Sequence, residues 1–208
     1  LSVKCVRGEA AQRAGMLSSI SMSERAIPYW EEDASSPGIF INYRYVDIWA
    51  ATHLDSLLVA HYGSPNVFRA DRSLCADEPY GNTLQAAAGR AAIMLVLIGQ
   101  DWRDSLAAGR HNWVFTEMHE ADDNGVALLP VILHRVHNEH DERKLWTPVE
   151  RPHEAIITQH DLPPGVPRSL LLDRQVAFGT KDPESDVRRM VGVIDAVIAE
   201  LSGGSALA

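Results

Sequence analysis

Cysteine is nearly absent. The 208-residue chain has two, Cys5 and Cys75, far apart and outside any CxxC or Cys/His spacing. That excludes a disulfide framework and a cysteine-built zinc site, and it fits a reducing cytoplasm. Long apolar stretches are missing as well: a run such as Ile93 to Ile98 has the length of a strand, not of a membrane span, and the first residues lack the basic-then-apolar order of a signal peptide. No membrane partner is expected. Basic residues are in deficit, 19 Lys and Arg against 28 Asp and Glu, for a formal charge of −9. Such a chain repels polyanions, so no nucleic-acid partner is expected. The phosphate signatures GxGxxG and GxxxxGK[ST] are absent, as is GxSxG, which argues against a dinucleotide-binding dehydrogenase, a P-loop NTPase and an α/β-hydrolase. The chain opens on Leu1 rather than Met, and a longer product is expected.

What is present suits a folded domain. With 46% hydrophobic and 23% charged residues, a chain of this length buries about 70% of its unfolded surface without a staple. Residues 1–36 show little periodicity and end in the run Glu31 to Gly38, read as an appendage and linker; 37–201 form the domain and 202–208 a disordered tail. From Ile39 onward, strand-like runs (39–43, 67–68, 93–98, 126–132 and 175–178) alternate with helical ones. The helices start near Asp47, lead through Leu84 to Ala91, run from Trp113 to about Asp123, and open at Asp182-Pro183 to reach Leu201. The pattern predicts an α/β fold, a flavodoxin-like open sheet of about five parallel strands with helices on both faces. The stretch from His134 to Arg174 is too polar for a core element and is expected largely on the surface. Its histidines, His134, His137, His140, His153 and His160, have no fixed ligand spacing, so no metal site is expected.

Ligands of such sheets bind outside the carboxyl ends of the strands. Those ends carry Asn42, Tyr43, Arg44 and Asp47 after the first strand, Arg69, Asp71 and Arg72 after the second, and Gln100, Asp101 and Trp102 after the third. Asp47, just before an apolar periodic run, is equally readable as the cap of the first helix. Trp113 and Glu117 are four residues apart, offset by about 40° around a helix. An indole and a carboxylate are therefore expected to face one space, which suits a ribosylated, aromatic, partly cationic ligand.

Taken in order, these pieces resemble the Toll/interleukin receptor (TIR) domain in its bacterial form, over about Gly38 to Leu201. Ile39-Phe40-Ile41-Asn42-Tyr43-Arg44 with Asp47 is similar to the family's FISYR-x-x-D strand, with Asn42 where the family usually has Ser. Val67-Phe68 with the loop to Gly81 resembles its BB loop, although the common D-x-x-x-x-x-G-x-x-[FW] wording is not closely matched. Trp113-Val114-Phe115-Thr116-Glu117 resembles its WxxxE helix, and Ile98 to Trp102 and Leu129-Pro130-Val131 fall in the expected places.

The resemblance implies an NAD+ glycohydrolase, releasing nicotinamide and ADP-ribose or a cyclic isomer, with Glu117 catalytic and NAD+ as substrate rather than cofactor. It further implies Asn42, Tyr43, Arg44, Arg69, Asp71, Trp102 and Trp113 as substrate contacts, with Arg44 and Arg69 or Arg72 facing the pyrophosphate. Activation by self-association and a cytoplasmic role in antiphage immunity belong to the same implication. Two other readings stay open: a non-enzymatic TIR–TIR adaptor, and an enzyme like nucleoside deoxyribosyltransferases, which break an N-glycosidic bond with one glutamate.

Overall fold

The computed structural model of the protein describes residues 38–73, 80–99, 102, 113–137, 146–148, 162, 165–179 and 182–204. The appendage expected at 1–36 lies outside them. The elements run β1 (Ile39–Asn42), α1 (Ile48–Tyr62), β2 (Val67–Phe68), the single turn α2 (Ala70–Ser73), α3 (Tyr80–Arg90), β3 (Ile93–Ile98), α4 (Trp113–Asp123), β4 (Ala127–Leu133), β5 (Arg135–His137), β6 (Trp146–Pro148), β7 (Val176–Phe178) and α5 (Pro183–Gly204). Five strands form one parallel sheet in the order β2-β1-β3-β4-β7. This is the α/β open-sheet architecture that the alternation of strand and helix runs predicts.

The pleat sorts the core into two layers. Phe40, Phe68, Met94, Val96, Ile98, Leu128 and Ile132 point to one face, where Leu84, Ala87 and Ala88 of α3 and Val114, Met118 and Ala121 of α4 cover them. Their alternates, among them Ile39, Ile41, Leu95, Leu97, Leu129 and Val131, point to the other, against Leu54 and Leu58 of α1 and Met190, Ile194 and Val197 of α5. β3 is buried along its whole length, as a strand covered on both faces must be. Side chains alternate across a strand, so Asn42, two residues past Phe40, stands on the face covered by α3 and α4.

Backbone punctuation sets the element ends. Gly63, at φ 86, closes α1 with its N–H on the Val59 carbonyl at 2.9 Å, a turn that a side chain would strain. The Asp182 carboxylate accepts from the Ser185 N–H at 3.0 Å and caps α5. That helix continues through Gly204, past the point expected as tail.

One other expectation needs correction. The stretch from His134 to Arg174 contributes to the core: Val166 and Leu170 are buried in the α3/α4 layer, and the Leu171 N–H bonds the Leu128 carbonyl at 2.9 Å. Among the described residues β7 pairs with Val131 to Leu133, and the first half of β4 takes this segment as a second neighbour. The same stretch also forms a small antiparallel pair of β5 and β6. Asp47, readable from the sequence either as a cap or as a ligand contact, sits at the N-cap position of α1 but makes no capping bond with its side chain. Its carboxylate is drawn instead to Arg44.

The chain leaves β1 for β2 on one side and β3 lies on the other, so strand order reverses between β1 and β3. The carboxyl ends of these two strands therefore flank the switch point where open α/β sheets take ligands.

Candidate functional site

Glu117 occupies a core position. On α4, Val114, Glu117, Met118 and Ala121 are the buried residues, a stripe at i, i+3, i+4 and i+7 in which an acid stands where an apolar residue would pack. Glu117 is 6% exposed. Its Oε2 accepts a hydrogen bond of 2.7 Å from the Asn42 side-chain Nδ2 at the end of β1. The same nitrogen donates to the Val114 carbonyl at 3.2 Å. An amide nitrogen has two hydrogens, so both of Asn42's donors are spent on α4. Asn42 is fully buried, and its Oδ1 has no hydrogen-bond partner among the described residues.

No Lys, Arg or His among the described residues forms an ion pair with Glu117. Burial dominates: it pushes the carboxyl from an ordinary 4.5 up to about 8, with the Asn42 bond pulling the other way. A carboxyl in this state is largely protonated at neutral pH. Oε2 receives the Asn42 hydrogen, which leaves Oε1 as the oxygen to carry the acid's proton. The group can therefore exchange a proton near physiological pH, and when ionised it places a buried negative charge beside the switch point.

Trp113 opens α4 and is 44% exposed. Its six-membered ring lies over Gly81 of α3; a Cβ at Gly81 would stand 2.9 Å from the Trp113 Cη2. Hydrogen at position 81 is what lets the indole rest there. One helical turn thus separates a half-exposed aromatic from a buried acid.

The other expected contacts are held within the protein. Arg44 pairs with Asp47 at 3.2 Å, both largely buried. The Asp47 carboxylate in turn packs on Gly99 at the end of β3, where a Cβ would come within 3.0 Å of the Asp47 Cγ. This pair bridges β1 and β3 at the switch point. Arg69, 8% exposed, lies between Asp71 at 2.8 Å and Asp55 of α1 at 4.0 Å, and the Tyr43 hydroxyl donates to Asp71 at 2.8 Å. Trp102 is 1% exposed and belongs to the α3/α4 core. The side chain of Arg72, and all of Gln100, Asp101, Cys5 and Cys75, lie outside the described residues. Among the described residues no group of three or more His, Cys, Asp or Glu side chains is placed to hold a metal ion; His140, His153 and His160 lie outside them. No helix among the described residues is long and apolar enough to cross a membrane.

Sequence reasoning brought Asn42 and Glu117 to the same sheet edge but missed the bond between them. It also missed Asp55, Gly81 and Gly99. Asp55 had a signal, since it sits in the stripe Ala51, Leu54, Asp55, Leu58 where an apolar residue is expected. The glycines had none, because close approach of a distant side chain leaves no local pattern. A scan against protein-family models and a search of curated proteins return no match for this chain.

Proposed function

We propose that this chain is a TIR-type NAD+ glycohydrolase whose catalytic residue is Glu117. The observation that carries the reading is a buried carboxyl, bonded to an amide and to no cation among the described residues, at the carboxyl end of β1. A half-exposed indole, Trp113, lies one helical turn before it. Nicotinamide in NAD+ is already a cationic leaving group. The glycosidic C–N bond breaks with its electron pair going to the pyridinium nitrogen, and no acid is needed to expel it. What remains is an oxocarbenium-like ribosyl centre, which an ionised carboxylate stabilises. Water adds at the anomeric carbon and loses a proton, giving ADP-ribose; attack by the substrate's own adenine gives a cyclic isomer instead. Ionised Glu117 bonds the ribose hydroxyls in this scheme, and Trp113 packs on a ring.

Arg44 and Arg69 are already held by carboxylates, so a pyrophosphate would have to compete with Asp47 or Asp71 for them. The reading therefore stands on Glu117 rather than on an arginine clamp. Self-association in the cytoplasm belongs to the same proposal, and turnover per molecule should then rise with protein concentration. The test is nicotinamide release from NAD+ by concentrated protein. Glu117→Ala should lower it by about 100-fold or more. No release, or equal release by the variant, rejects the reading.

One observation favours a non-enzymatic docking module instead. Tyr45, Val46 and Trp49, just past β1, are 80%, 55% and 49% exposed, an apolar patch of the kind found at protein interfaces. Capture of a TIR partner that is lost on Trp49→Ala, without NAD+ turnover, would select this alternative.

A further inference from the structure

Resting on the glycohydrolase reading, we infer that Asn42 is the positioning residue of this site: its amide ties Glu117 Oε2 to the protein and leaves Oε1 as the atom that exchanges a proton and meets substrate.

The geometry is specific to an amide. Asn42 is fully buried, and its two hydrogens reach the Glu117 carboxyl at 2.7 Å and the Val114 carbonyl, one turn earlier on the same helix, at 3.2 Å. The bond to Val114 fixes the amide against α4, and its second hydrogen then holds Oε2 of the carboxyl in place. Serine, shorter and with one hydroxyl hydrogen, can serve only one of those acceptors. Aspartate has the shape of asparagine but offers no donor when ionised. With its donors committed to α4, Asn42 has none left for a substrate, so its part in the reaction is exerted through Glu117.

Beside burial, the Asn42 bond is what shifts the ionisation of Glu117. β1, β3 and β4 contribute no charged side chain, and among the described side chains of α3 the charged one is Arg90, in its last turn. On α4 itself His119, Glu120, Asp122 and Asp123 follow Glu117. The ionisation of Glu117 is set by burial, which raises its pKa, and by the Asn42 bond, which lowers it. Removing the bond therefore moves the titration upward.

The test uses Asn42→Ser and Asn42→Asp in the full chain, with near-UV circular dichroism to establish folding. Two readouts are taken: titration of the Glu117 side-chain carbon by 13C NMR in the absence of substrate, and the pH profiles of kcat and KM for NAD+. The expected result is that Glu117 titrates about one pH unit higher in Asn42→Ser. The acid limb of the rate profile should move with it, and kcat should fall about 10- to 100-fold with little change in KM. Asn42→Asp should be the more damaging, because it sets a second acid against the first. A Glu117 titration unmoved in both folded variants overturns the inference, as does a raised KM with kcat and the limb unchanged. If the titration moves but wild-type protein does not consume NAD+, the glycohydrolase reading fails while the hold of Asn42 on Glu117 stands. If NAD+ is consumed and the titration does not move, the reverse holds.

Discussion

Glutamine at position 117 separates the charge of the buried acid from its shape. In the folded chain Glu117 keeps its proton until about pH 8, whereas the exposed group in the unfolded chain loses it from about 4.5. Below the lower value both states are protonated and nothing is lost. Between the two values the folded chain binds more protons than the unfolded one, so wild-type stability falls as pH rises; above the upper value the loss is complete. Each pH unit within the window is worth about 1.4 kcal/mol. Across the window from 4.5 to about 8 that amounts to about 5 kcal/mol, an upper figure because buried sites relax when ionised. Glu117→Gln retains an oxygen to accept from Asn42 and cannot ionise. Its stability relative to wild type should therefore grow by about 3 kcal/mol between pH 5 and pH 8, other titrating groups cancelling between the two proteins. Urea unfolding at fixed pH values measures this. In thermal unfolding the same gain is roughly 6–12 °C for a chain of this size. Parallel pH profiles for the two proteins, or a variant that loses ground as pH rises, would refute the claim that Glu117 is held protonated by burial.

The same protonation has a kinetic counterpart. If ionised Glu117 stabilises the ribosyl cation, kcat/KM for NAD+ should rise with pH through about 8, the value for the free protein. The limb for kcat should lie lower, because a bound pyridinium favours the carboxylate. A flat profile from pH 6 to 9 would contradict it. At the aromatic end, Gly81→Val should push the Trp113 indole off α3, since even a Cβ stands 2.9 Å from the ring. KM for NAD+ should rise severalfold and the near-UV circular dichroism should change; an unaltered spectrum would show that the ring does not rest there. In the β2 region, Arg69→Ala withdraws a cation from Asp55, which is 5% exposed, at a cost of about 3 kcal/mol. Adding Asp55→Asn should recover part of it, and a loss below about 1 kcal/mol in urea unfolding would count against a coupled Asp55–Arg69–Asp71 cluster.

Much of the fold was legible because periodicity and burial are two views of one constraint. The uninterrupted Ile93–Ile98 run became the central strand, and the Val187, Met190, Ile194, Val197 stripe became the inner side of α5. The segment after His134 was misjudged for the same reason. Its few apolar residues, Val166 and Leu170 among them, have no period, and only the fold brings this segment beside the first half of β4. Three polar intrusions were visible in the sequence once the pattern is known: Asn42 alternating with Phe40, Glu117 beside Met118, and Asp55 beside Leu54. Each stands where a nonpolar side chain would satisfy the core.

The residue order alone determined a parallel α/β sheet and which residues reach its carboxyl edge, since alternation of strand and helix runs leaves few other ways to bury these apolar faces. It also set Trp113 and Glu117 one turn apart. Only the tertiary structure decided that Glu117 is buried on the inner face of α4 with Asn42 as its donor, that Arg44 and Arg69 spend their charge on Asp47, Asp55 and Asp71, and that Gly81 supports an indole. The protonation of a buried acid and the partner of a buried cation depend on groups tens of residues away, whose approach is fixed by packing and not by any local pattern.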